Sequence, residues 1–102
     1  MQTELAIDVL EERAAEVAGV LRMLANEKRL LILCHLAKRG EISVTPLAEL
    51  VGLSQSALSQ HLARLREDGL VTTRRESQVL HYRIDEPRVG RLLESLYEIY
   101  CT

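Results

Sequence analysis

Apolar residues in the first quarter of the chain recur at steps of four and three: Leu10, Ala14, Val17, Leu21 and Leu24. That spacing places them on one stripe of a helix, predicted from about Leu5 to Leu24. Gly19 weakens this helix without ending it. Asn26 stands where an N-cap belongs, and Glu27 follows in the first turn, where the helix dipole favours an acid. A second helix is therefore predicted to about Lys38, closed by the cations and glycine of "KRG". In "SVTPLAELVGLSQSALSQHLARLREDGL", Thr45 is the expected cap of a short third helix that opens on Pro46 and breaks at Gly52. Ser54 caps a fourth helix, which reaches about Asp68 before Gly69 stops it. Two separately capped helices joined by a short glycine-containing turn form a helix-turn-helix signature.

After Gly69 the period changes from helical to alternating. Val71 and Thr73 alternate with Thr72 and Arg74, and Val79 and His81 with Leu80, Tyr82 and Ile84. Two strands joined at Glu76–Gln78 are predicted, forming a hairpin. Pro87 then opens a last helix with Val89, Leu92, Leu93, Leu96 and Ile99 on one stripe. The predicted class is mainly α with a small β-hairpin, in the order α-α-α-α-β-β-α. Neither an internal repeat nor a low-complexity segment interrupts that order.

The length, 102 residues, fits one domain over 1–102, small enough that dimerisation through the terminal helices can supply part of its stability. Leu, Val, Ile and Ala carry the apolar content, with no Phe, no Trp and three Tyr, a composition suited to packed helices. The longest apolar run, Leu30 to Cys34, is far too short to span a bilayer, and the first residues hold acids and no basic leader region. A cytoplasmic location is expected. The net charge of −2 hides a division along the chain. Residues 1–27 carry two basic and six acidic groups (−4), residues 28–83 nine and five (+4), and residues 84–102 two and four (−2). A basic centre between acidic ends fits a positive face for a polyanion, although a charge run is also what a solvated surface carries.

On the fourth helix Leu58, Leu62 and Leu65 make the inward stripe. Opposite them lie Ser56, Gln60 and Ala63, flanked by Gln55, Ser59 and Arg64. Small and amide side chains suit a helix lying in the major groove of DNA, where Gln pairs with adenine and Ser reaches base edges or phosphates. An ordinary solvated face is richer in Glu and Lys. His61 falls nearer the core edge and is expected to pack. Arg74, Arg75 and Arg83 on the hairpin fit either an edge guarded by charge or a wing that touches phosphates.

The run from "LANEKRLLILCHLAKRG" through "LSQSALSQHLARLREDGLV" to "RRESQVLHYRI" resembles the winged-helix core of the ArsR family of small dimeric repressors, and the likeness covers nearly the whole chain. The resemblance implies a homodimer paired through its first and last helices and bound to a palindromic double-stranded operator. It places DNA contacts on Gln55, Ser56, Ser59 and Gln60, within the outward arc, and Arg64, Arg74 and Arg75 complete the expected interface.

Many members of that family sense metals through Cys-x-Cys before the turn or an Asp/His set on the last helix. Here the first location reads "EISVTPL" and the last helix holds no histidine, so neither a metal site nor a cofactor is expected. The two cysteines, Cys34 in "RLLILCHL" and Cys101 in "LYEIYCT", match instead the positions used by the BigR and SqrR branch, which responds to reactive sulfur. Taken alone, Cys34 shares an arc with Leu30, Leu33 and Ala37 and reads as a core thiol. Cys101 lies near the line of Tyr97, away from the apolar stripe. The resemblance implies a repressor whose Cys34 and Cys101 become linked within one protomer when a persulfide or polysulfide arrives. A response to peroxide, to another electrophile, to a metal or to no inducer uses the same scaffold. A thiol enzyme would want Cys-x-x-Cys or an activated, accessible cysteine, and the sequence shows neither, so no enzymatic activity is expected.

Overall fold

The computed structural model describes residues 5–102; the first four residues of the expected domain lie outside the described residues. Five helices and three short strands follow in order: α1 (Ile7–Leu24), α2 (Glu27–Arg39), β1 (Ile42–Ser43), α3 (Val44–Val51), α4 (Gln55–Glu67), β2 (Val71–Glu76), β3 (Val79–Ile84) and α5 (Pro87–Cys101). The expected order holds, with one strand added.

Local chemistry sets most of these boundaries. The Asn26 side chain accepts from the Arg29 backbone N–H at 3.0 Å and starts α2. Ser54 Oγ accepts from the Ala57 N–H at 3.1 Å and starts α4. Glu86 caps α5 through the Arg88 N–H at 2.9 Å, with Pro87 at the first helical position, where its missing N–H costs nothing. Gly52 ends α3 at φ 69, a left-handed backbone that a side chain rarely adopts.

Helix α3 departs from its expected start. It begins at Val44 with Ser43 in the cap position and no side-chain cap bond, because Ile42 and Ser43 are pulled into the sheet opposite Tyr82 and His81. Thr45 is therefore not the cap; its hydroxyl accepts from Gln55 Nε2 at 3.0 Å. A two-residue strand is too short to show alternation, which is why β1 has no signature in the sequence.

The sheet runs β1-β3-β2, antiparallel throughout, with Val71 opposite Ile84, Thr73 opposite Tyr82 and Arg75 opposite Leu80. The hairpin turns on Ser77–Gln78, with Ser77 at φ 56. One face carries Val71, Thr73, Ile84 and Tyr82 against the helices, and the other carries Thr72, Arg74, His81 and Arg83 toward solvent.

One cluster of buried side chains holds the fold together. Ile32, Leu33 and Leu36 of α2, Leu47 of α3, and Leu58, Leu62 and Leu65 of α4 are its fully buried centre, closed by Val71 and by Val89 of α5. Helix α1 reaches this core at its C-terminal end, where Met23 and Leu24 are buried and Val20 packs against it. The rest of its stripe, Leu10, Ala14, Val17 and Leu21, stays largely exposed in the described chain. At the other end Val89 and Leu93 of α5 are buried, but Ile99 and Tyr100 are 69% and 79% exposed.

Candidate nucleic-acid interface and thiol pair

Helices α3 and α4, joined by Gly52–Ser54, form the helix-turn-helix, and the buried leucines of α4 fix which way its other face looks. Gln55, Ser56, Ser59, Gln60, Ala63 and Arg64 are all exposed, as the helical arc requires. Gln55 is not wholly free, since its amide nitrogen is engaged by Thr45. His61 is half-buried beside Arg29 and Arg64; burial first, and then these two cations, hold its imidazole below the usual histidine range. It remains neutral near pH 7 and sits at the edge of the arc.

The wing separates its two paired arginines. Arg75 lies on the sheet face of Tyr82, and Tyr82 lines a cleft of about 360 Å³ with Ser59 and Ala63 of α4, so Arg75 is on the recognition-helix side. It has no ion-pair partner among the described residues. Arg74 is on the opposite face, where its Nε donates to both oxygens of Glu41 at 3.1 Å and its terminal nitrogen to Oε1 at 2.7 Å. That bond is the main reason the Glu41 carboxyl is held below its ordinary range. Composition gave no sign that Glu41 would claim this cation, because the pairing spans β1 to β2 across β3.

Both cysteines are free and exposed. Cys34 is thus not the core thiol its neighbours in α2 suggested: Leu33 and Leu36 turn inward and Cys34 turns out toward α5. There it lines a mainly apolar cleft of about 390 Å³ with Ala37 and Lys38 of α2 and Leu93, Glu94 and Tyr97 of α5. Cys101 is one helical turn beyond Tyr97, at the end of α5. Partial burial in this cleft is the main cause that pushes the Cys34 thiol up, with a smaller contribution from the charge of Cys101. Among the described residues no three His, Cys, Asp or Glu side chains converge as a metal site would need.

Five helices in this order, a helix-turn-helix whose second helix is capped and has a polar outward face, and a hairpin wing define a winged-helix DNA-binding regulator. The family model for the bacterial regulatory proteins of the arsR family matches residues 26–73. The chain is 45% identical to the biofilm growth-associated repressor of Agrobacterium fabrum, over 96% of this chain and 83% of that protein. HlyU of Vibrio cholerae, named a transcriptional activator, is 47% identical over 90% of this chain and 84% of its own length. The crystal structure of the transcriptional repressor BigR from Xylella fastidiosa superposes with a TM-score of 0.90 at 40% identity, covering 96% of this chain and 99% of that one. This chain belongs to the arsR family of transcriptional regulators. No helix among its described residues is long and apolar enough to cross a membrane.

Proposed function

We propose that residues 1–102 form one winged-helix domain that acts as a homodimeric, cytoplasmic transcriptional repressor. It reads a palindromic operator through Gln55, Ser56, Ser59, Gln60 and Arg64, is steadied by the wing at Arg75 and Arg74, and is released by reactive sulfur through Cys34 and Cys101. The observation that carries this reading is the placement of two free, exposed thiols, Cys34 in the cleft between α2 and α5 beside Tyr97 and Cys101 one turn beyond Tyr97 on α5. The second copy is supported by the exposed apolar residues of α1 and α5, Leu10, Val17, Leu21 and Ile99, which a lone chain leaves in water. A two-fold pairing of these helices sets two recognition helices about 34 Å apart, matching successive major grooves.

The chemistry runs in two balanced steps. Burial pushes the Cys34 thiol up, whereas Cys101 stands exposed at the open end of α5, so in this scheme Cys101 is the residue that attacks the outer sulfur of a persulfide, giving up its proton as it does so. A Cys101 persulfide forms and the donor leaves as its thiolate, reduced by the two electrons that the cysteine sulfur gives up. Cys34 then attacks the inner sulfur of that persulfide, loses its proton and expels hydrosulfide, leaving a disulfide. If Cys34 has also taken up a sulfur, the same displacement leaves a trisulfide. A direct bond needs Cα atoms about 4.4–6.8 Å apart, so the gap between α2 and α5 selects the length of the bridge.

Polysulfide treatment of the protein and of Cys34→Ser and Cys101→Ser, followed by intact mass and operator titration, tests the scheme. The expected result is an intraprotomer link and weakened binding in the unsubstituted chain, with neither change in the two variants. Equal release by hydrogen peroxide would reassign the inducer, and unchanged binding after linkage would remove the sensor.

A further inference from the structure

Helix α2 touches the helix-turn-helix at a point that neither the outward face nor the thiols involve. Lys28, the second residue of α2, donates from Nζ to the Val51 carbonyl at 2.7 Å. Val51 is the last residue of α3, and a helix leaves its final carbonyls without intrahelical donors. The Ala48 carbonyl takes both the Gly52 and the Leu53 N–H, so the turn itself supplies nothing to Val51. The Lys28 ammonium also lies over the turn: a Cβ added at Gly52 would meet Nζ at 3.7 Å. A cation in this position satisfies the orphan acceptor and complements the negative end of the α3 dipole.

We infer that Lys28 is a positioning residue for the recognition helix, fixing the Gly52–Ser54 turn and with it the angle at which α4 is presented to the major groove. The inference rests on the DNA-binding reading above and adds a residue that touches no base. Its consequence is specific. Base-edge contacts demand correct placement of α4, whereas phosphate contacts tolerate a small rotation. Loss of the clamp lowers discrimination between duplexes rather than general affinity for them. Lys28 is half-buried, so its stem is held by packing and the ammonium is not a mobile surface charge.

The experiment uses the full chain with thiols reduced, a duplex selected by that chain from a random pool, and a scrambled duplex of equal length. Dissociation constants are measured across a salt series for the unsubstituted protein, Lys28→Met, Lys28→Gln and Lys28→Arg, alongside thermal melts. The expected result for Met and Gln is a specificity ratio roughly ten-fold lower, from weaker binding to the selected duplex alone, with an unchanged salt slope and recovery in Arg. Weakening on both duplexes, with the slope flattened by about 0.9 per protomer, would show a phosphate contact and overturn the inference. A lower melting temperature with an unchanged ratio would show a purely structural bond and overturn it too. If the unsubstituted chain selects no duplex, the DNA-binding reading fails first and takes this inference with it.

Discussion

Arg74 and Arg75 are neighbours in the chain with opposite situations. Arg75 shares a face with Tyr82 and looks past α4, while Arg74 is held by three hydrogen bonds to Glu41. Any phosphate that takes Arg74 must first displace a carboxylate already in good geometry. Arg75→Ala is therefore expected to weaken all duplexes alike and to lower the salt slope by about 0.9 per protomer, and Arg74→Ala to do distinctly less. Fluorescence anisotropy across a salt series reads both, and a larger loss at Arg74 would reverse this assignment. Much of this residue-level picture was legible beforehand: the buried leucines of α4 dictated its outward arc. Partners distant in sequence were not. Glu41 for Arg74, Thr45 for Gln55 and Val51 for Lys28 are pairings that no local spacing encodes.

At the scale of elements, α5 is tied to α1 by an ion bridge outside the core. Arg88 reaches Glu16 at 2.9 Å and Glu86 at 2.6 Å. Its side-chain bond is the leading reason that Glu86 falls to about 2 and that Glu16 is also lowered. Carboxylates depressed in the folded state stabilise it above their ordinary range and lose that contribution as pH falls through the folded values. The bridge should thus weaken between about pH 4.5 and pH 2, and urea midpoints for Arg88→Gln should depend less on pH across that window than those of the unsubstituted chain. Arg88 and Glu16 are exposed and Glu86 is only partly buried, so the bridge is screened and a modest difference is expected; identical pH profiles would mean that the bridge holds nothing. Element boundaries were readable where a cap exists, at Asn26, Ser54 and Pro87. The start of α3 was not, because the sheet pairing of Ile42 and Ser43 overrode the local preference of Thr45 and Pro46.

The whole molecule is incomplete as a single copy. A stripe that begins as the clearest helical pattern in the sequence ends as exposed surface, with Leu10 and Leu21 about half accessible. Periodicity announces a helix and its apolar face, but it does not say whether the face meets this chain or another. Leu21→Glu, at a half-exposed position outside the buried core, is expected to shift sedimentation from dimer to monomer and to abolish high-affinity operator binding; an unchanged dimer would move the seam elsewhere. In the same assembly α2 joins three tasks, carrying Cys34, packing the core at Ile32, Leu33 and Leu36, and meeting the helix-turn-helix at Lys28. In the proposed scheme, tension from a Cys34–Cys101 link would be carried by this core-packed helix toward the recognition turn. A coupling of this kind is typically worth about 1–3 kcal/mol, or roughly 5–150-fold in affinity. The decisive measurement is the operator affinity of polysulfide-treated dimer, read beside its non-reducing intact mass. Release within that range, accompanied by a link between Cys34 and Cys101 of the same protomer, is the predicted result. A linked protein that still binds its operator at full strength, or release that persists when either cysteine is serine, would contradict it.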